Sequence, residues 1–117
     1  MSQQREDIEA LLPLPPAAFH ILLTLSVGDR HGYGIIQDVE ARTRGAVRLS
    51  AATLYRTIQR LLEQGLITEP LTSPGVDPRR RPYRITELGT AVARAESGRL
   101  ADLVRQAEGA GLLFEPS

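Results

Sequence analysis

Apolar residues fall into a few periodic segments, and the first long one is apolar nearly all round. In the stretch AAFHILLTL only His20 and Thr24 are polar, one helical turn apart. Two prolines stand just before it and Gly28 soon after it, which are helix start and stop signals. A helix that is apolar on every side must be covered on every side. We therefore expect a helix that is covered by the C-terminal helix or by a second subunit.

Two further segments have the period of amphipathic helices. The stretch GYGIIQDVEARTRG places Ile35, Ile36 and Val39 on one side and predicts a second helix that Gly45 ends. The stretch LSAATLYRTIQRLLEQG is the clearest helix, with Ser50 as N-cap and Gly65 as stop. Its apolar face consists of Leu54, Ile58, Leu61 and Leu62, and its opposite face of Ala52, Arg56, Gln59, Arg60 and Glu63.

The remaining pattern predicts a β-hairpin and a last helix. Residues 66–72 and 82–86 have the pattern of short strands, and the loop between them contains two prolines and a glycine. Thr86 is the expected cap of the last helix. Near the N-terminus, Ile8, Leu11 and Leu12 have helical spacing, which indicates an extra turn or two.

Three helices followed by a hairpin and a further helix predict one fold class. It is mainly α with a small β-hairpin, a winged helix-turn-helix plus a C-terminal dimerisation helix. We divide the chain into an N-terminal segment at 1–13, either a short helix or flexible, a DNA-binding domain at 14–86, and a dimerisation helix and tail at 87–117.

The charge distribution points to a polyanionic partner. The formal net charge is zero, but residues 42–84 hold nine arginines and three acids, whereas the segments on either side are acidic. A basic block of this kind is typical of nucleic-acid contact, although charge also clusters by chance. The chain has no cysteine, and its two histidines lie on different elements, so we expect no metal site and no cofactor. No catalytic constellation and no apolar run long enough to span a bilayer stand out, which favours a cytoplasmic protein that is not an enzyme.

Three separated motifs resemble the PadR-like transcriptional regulators. They are HGYGIIQDVE, ATLYRTIQRLLEQGLI and RRRPYRITELG, in that order, within residues 14 to about 105. The resemblance implies a bacterial DNA-binding repressor that forms homodimers, in which the C-terminal helix packs against the first helix of the partner. The chain departs from the family pattern at Pro82, where an aromatic residue is frequent, and at Arg56, where proline is frequent.

The candidate DNA contacts come from three places. The start of the second helix supplies Tyr33, although packing is the favoured interpretation for this tyrosine, whereas DNA proximity is favoured for Tyr55. In the recognition helix the candidates are Ser50, Ala51, Ala52, Thr53, Tyr55, Arg56, Gln59 and Arg60, and an amphipathic helix with a solvated arginine face is the competing interpretation. In the wing the candidates are Arg79, Arg80, Arg81 and Tyr83.

The expected partners are double-stranded DNA, a second copy of the chain and an unidentified small-molecule effector. The candidate dimer interface comprises Phe19, Leu22, Leu23, Leu88, Val92, Leu100, Leu103 and Val104. The alternative function is a winged-helix module for protein–protein interaction, in which the apolar tail at 112–114 docks another protein.

Overall fold

The computed structural model describes residues 2–70, 75, 77 and 80–113. The elements in chain order are α1 (Ser2–Ala10), α2 (Pro16–Val27), α3 (Gly32–Arg42), α4 (Ala51–Glu63), β1 (Ile67–Thr68), β2 (Arg84–Ile85) and α5 (Glu87–Gly109). This order confirms the expected fold class, mainly helical with a small hairpin, and adds α1 as a full helix of nine residues. Among the described residues, no helix combines the length and the apolarity needed to cross a membrane.

Helix α2 lies at the centre of the fold. It contacts α3, α4, α5 and β2, and its side chains Ile21, Leu22 and Leu25 are fully or almost fully buried. The cover that its all-round apolar pattern requires is therefore supplied largely by the chain itself.

The polar strip of α2 is used inside the fold. Thr24 is completely buried, and its Oγ1 donates a 2.8 Å hydrogen bond to Asp38 Oδ2 on α3. Arg42 bonds to the same carboxylate at 2.5 Å. Hydrogen bonds from Arg42 and then from Thr24 hold the pKa of Asp38 below its ordinary value. This polar cluster joins α2 to α3.

The hairpin is shorter than the sequence predicts. Strands β1 and β2 are antiparallel, with Ile67 opposite Ile85. The second strand begins at Arg84 rather than at Pro82 because proline has no N–H to give to the ladder. Just before it, Tyr83 forms an isolated antiparallel bridge with Arg30, the segment that precedes α3.

The first turn of α5 is fastened to the end of α4. Thr86 caps α5 as expected, accepting a hydrogen bond from the Gly89 N–H at 2.9 Å and donating to the Gly65 carbonyl at 2.7 Å. A methyl group at Gly89 would overlap the carbonyl oxygen of Leu66, so the helix passes this turn only because position 89 has no side chain. Val92, one turn on, lies in the same core as α2. The first half of α5 thus shares the core formed by the residues before position 86.

A buried ion pair marks the middle of α5. Glu96 is 2% exposed and accepts hydrogen bonds from Arg99 Nε at 2.7 Å and Nη2 at 2.8 Å. These bonds hold the pKa of Glu96 below its ordinary value, although burial acts in the opposite direction. An ionised glutamate can be buried here because its charge is compensated on the same helix.

We predict that Gly89→Ala destabilises the fold by about 1–3 kcal/mol, because the added methyl group overpacks the contact with Leu66. Gly98→Ala on the same helix is the matched control. Apart from its chain neighbours and the adjacent backbone of α5, no described atom lies within 4 Å of a Cβ placed there. That change should therefore stabilise the fold by about 1 kcal/mol through helix propensity. Urea unfolding measures both. Equal effects of the two substitutions would contradict the close approach at Gly89.

We also predict that the contribution of Glu96 depends on pH. Its pKa is lower in the folded chain, so its stabilisation is present above the unfolded value of about 4.3 and is lost as the pH falls through the folded value. Glu96→Gln should therefore unfold at lower urea than the wild type at pH 6.5, and the difference should shrink by pH 3.5. The exposed Glu108→Gln is the control. A difference for Glu96→Gln that is independent of pH would contradict the role of its charge.

Candidate nucleic-acid interface

Helix α4 has one face that packs against the core and an opposite face that is exposed to solvent. Leu54, Ile58 and Leu61 are buried against the core, which confirms the apolar face that the sequence predicts. Six of the predicted contact residues within α4 are exposed on the remaining surface: Ala51, Ala52, Tyr55, Arg56, Gln59 and Arg60. The helix therefore presents a surface with small side chains at its N-terminus and two arginines one turn apart.

The other two predicted contacts, Ser50 and Thr53, form the N-terminal cap of this helix. Ser50 Oγ accepts a 3.1 Å hydrogen bond from the Thr53 N–H and lies 3.1 Å from the Thr53 hydroxyl. Ser50 is thus the N-cap of α4, as predicted. The cap and the first turn fix where the helix begins. They also place the positive end of its dipole beside the exposed Ala51 and Ala52, an arrangement that favours an anion such as phosphate.

Tyr55 links α4 to the start of α3. Its ring packs over Gly32, where a Cβ would overlap the phenol, and part of the side chain remains exposed. Both α3 and α4 belong to the helix-turn-helix. This contact places the first turn of α3 against the Tyr55 side chain of α4. Gly32 is needed at this point for close approach rather than for a turn.

The structure assigns a role to His31 that the sequence analysis missed. His31 is the N-cap of α3, and its Nδ1 accepts a 3.1 Å hydrogen bond from the Gly34 N–H. Histidine is not among the preferred capping residues, so propensity alone could not have found it. Tyr33 follows the cap and is 62% exposed. Core packing, the favoured interpretation for Tyr33, is therefore wrong.

The wing, residues 69–83 between the two strands, contains both exposed and buried candidates. Arg80 and Arg81 are exposed. Tyr83 is a correction: its side chain is only 8% exposed, and burial raises its pKa. It supports the wing from beneath through its bridge to Arg30 and cannot be a principal surface contact. Arg79 lies outside the described residues.

Ion pairs divide the nine arginines of residues 42–84 into two groups. Three are paired: Arg42 with Asp38 at 2.5 Å, Arg48 with Glu40 at 3.2 Å and Arg84 with Asp29 at 2.8 Å. Within the described part of the chain, five form no ion pair: Arg44, Arg56, Arg60, Arg80 and Arg81. Four of these five belong to α4 or the wing, so uncompensated positive charge is concentrated there.

The predicted dimer residues fall into three groups. Leu22 and Val92 have no exposed surface within the single chain, so they are core residues and the prediction that they form an interface is corrected. Four are partly buried: Phe19, Leu23, Leu88 and Leu100. Leu103 and Val104, in the second half of α5, are 47% and 49% exposed.

Solved structures of similar fold are transcriptional regulators. A transcriptional regulator from Clostridium thermocellum superposes with a TM-score of 0.68 and 26% identity, over 80% of this chain and 87% of that one. A PadR family transcription regulator from Clostridium difficile has a TM-score of 0.67 and 20% identity, over 81% and 97%. A PadR-like regulator from Bacillus cereus has a TM-score of 0.65 and 20% identity, over 94% and 99%.

At the sequence level, an uncharacterized protein of Lysinibacillus sphaericus is 37% identical over 71 residues, which are 61% of this chain. The chain spans about 65% of the length of that curated relative. The model of the transcriptional regulator PadR-like family matches residues 21–95, the segment that holds the helix-turn-helix, the wing and the first part of α5. The chain therefore belongs to the PadR-like family of transcriptional regulators.

Proposed function

We propose that the chain is a sequence-specific DNA-binding repressor that acts as a homodimer on a near-palindromic operator in the bacterial cytoplasm. The observation that carries the proposal is the distribution of unpaired arginines. Of the four arginines elsewhere in the basic block, all but Arg44 have carboxylate partners. The described arginines of α4 and the wing, which are Arg56, Arg60, Arg80 and Arg81, have none among the described residues. Unpaired cations on neighbouring elements are suited to a polyanion.

Helix α4 is the element that reads bases. Its first exposed residues, Ala51 and Ala52, are small enough to let the helix approach closely, and Arg56 lies one turn further on. An arginine that donates two hydrogen bonds to one guanine discriminates against other bases by about 1–3 kcal/mol. Gln59 and Arg60 extend the same surface toward the helix C-terminus.

The wing holds the backbone beside the recognition helix. Arg80 and Arg81 are exposed, and the Arg80 N–H donates a 2.8 Å hydrogen bond to the Asp77 carbonyl. Charge at the tip of a hairpin reaches phosphate without needing a particular base, so it adds affinity that does not depend on sequence.

The second half of α5 is the proposed dimer contact. Leu100, Leu103 and Val104 recur at helical spacing on a part of α5 that extends beyond the core, and two of them are about half exposed. Apolar side chains at this spacing are suited to packing against another helix. A twofold dimer would present two α4 helices to half-sites about 34–36 Å apart, or a multiple of that distance.

The direct test is binding to DNA from upstream of the chain's own gene against random DNA of the same length. Tighter binding to the upstream DNA, with a footprint of two related half-sites, is the expected result. Equal affinity for both would sink the proposal of a specific repressor.

The competing function is a protein-interaction module, and the exposed Leu112 favours it because this side chain is 77% exposed beyond the end of α5. A mobility shift on genomic fragments at moderate salt separates the two. Failure to shift any fragment, together with capture of a defined protein partner that Leu112→Ser abolishes, would favour the competing function.

We predict different losses for the two arginine positions. Arg56→Ala should lose about 1–3 kcal/mol on the specific site and much less on random DNA. Arg80→Ala should weaken both DNAs alike and lower the slope of log affinity against log salt by about one unit. Arg94→Ala, at an exposed position of α5, is the control and should leave the slope unchanged. An equal fall in the slope for Arg80→Ala and Arg94→Ala would contradict a role for the wing.

We predict that Leu103→Glu dissociates the dimer, because it buries a charge in an apolar helix contact. Sedimentation velocity should show a monomer at concentrations where the wild type is dimeric. Val27→Glu replaces another exposed apolar residue, at the end of α2, and should leave the dimer intact. A Leu103→Glu protein that remains dimeric would exclude this part of α5 from the interface.

A further inference from the structure

A groove lies between the recognition helix and the N-terminal part of the chain. It has a volume of about 510 Å³ and is formed by α4 on one side and by the end of α1, the α1–α2 connection and the start of α2 on the other. Small-molecule sites have volumes of about 300–1,000 Å³. Its apolar lining includes Leu11, Leu14, Ala18 and Leu61.

The charged side of the groove consists of two arginines. Arg56 and Arg60 both line it and are four residues apart on α4, so their side chains are neighbours on the helix surface. None of the described residues that line the groove is an aspartate or a glutamate. Neither arginine forms an ion pair within the described ranges. An apolar surface thus stands beside two positive charges that lack a counter-charge.

We propose that this groove binds an amphipathic organic monoanion. The apolar body of the ligand lies against the leucines, where its removal from water is favourable. Its carboxylate or sulfonate accepts hydrogen bonds from Arg56 and Arg60, since guanidinium groups match the geometry of such anions and give the stronger, charge-assisted bonds. A neutral ligand of the same shape would gain the apolar contact but not these bonds.

Binding in the groove would also regulate DNA binding, a consequence that rests on the proposed function. The two arginines that hold the anion are also on the surface that we propose contacts DNA. A bound anion neutralises the charge that DNA needs, and DNA occupies the arginines that the anion needs, so each lowers the affinity of the other by the same factor. The ligand would act as an inducer without requiring movement of the dimer.

The test uses two dyes that differ in one group. The anion 8-anilinonaphthalene-1-sulfonate and neutral N-phenyl-1-naphthylamine share the same rings, but only the first has a sulfonate. Their fluorescence is titrated with the full chain in the absence of DNA. We expect the sulfonate to bind with one site per chain and at least about tenfold more tightly than the neutral dye, the difference that hydrogen bonds to charged groups give.

Replacement of two different alanines by glutamate locates the site. Ala10 is exposed and lines the groove, so Ala10→Glu should weaken the sulfonate by about tenfold or more, because the new carboxylate competes for the arginines. Ala101→Glu is the matched control at an exposed position of α5, which contributes no lining residue, and should change the affinity by less than about twofold. Arg60→Gln is a second groove variant and should weaken the sulfonate but not the neutral dye.

Three outcomes would overturn the proposal. The first is equal affinity of the chain for the two dyes. The second is an affinity for the sulfonate that neither Ala10→Glu nor Arg60→Gln changes. The third is a loss of affinity that only Ala101→Glu causes, which would place the dye on the apolar surface of α5. A separate experiment measures release of DNA by the two dyes. We expect the sulfonate, and not the neutral dye, to release DNA at the concentration that half-saturates the groove. Dye binding without DNA release would overturn the inducer role, whereas a chain that bound no DNA would overturn the proposed function and leave the dye result to decide the site.

Discussion

The structure depends on covering one apolar helix. Helix α2 has almost no polar side chain to offer to water, and the polar residue Thr24 is satisfied internally by Asp38. Helices α3, α4 and α5 therefore surround it. Since burial of apolar surface is the main favourable term in folding, this requirement decides where the other helices lie. Each of these three helices packs one face against α2, and its remaining face is available for function.

The length of α2 limits how much of its neighbours can be buried. Its 12 residues span about 18 Å, whereas the 23 residues of α5 span about 34 Å. The first half of α5 packs in the core through Gly89 and Val92. The second half extends past the core, which leaves Leu103 and Val104 half exposed. Helix α4 is also only partly buried. It has a single apolar face, so Arg56 and its neighbours remain at the surface.

Electrostatics sorts the arginines by task. Arg42 bonds to Asp38 within α3, and Arg84 holds Asp29 beside the hairpin with two of its nitrogens. Exposed pairs of this kind add little stability, but they occupy charges that would otherwise compete for an anion. The described arginines of α4 and the wing, Arg56, Arg60, Arg80 and Arg81, form no ion pair among the described residues. The acid-free groove beside α4 is a consequence of the same separation.

Much of the fold could be predicted from the sequence, because helix periods and end signals are local. The amphipathic pattern of α4, its cap at Ser50 and the cap of α5 at Thr86 are visible in short windows. The tertiary structure alone decided that Tyr83 is buried, that Leu22 and Val92 belong to the core rather than to an interface, and that Ala10 and Arg56 line the same groove. It also revealed His31 as a cap. These features depend on contacts between residues far apart in the chain, and periodicity shows which face of a helix is apolar but not what covers it.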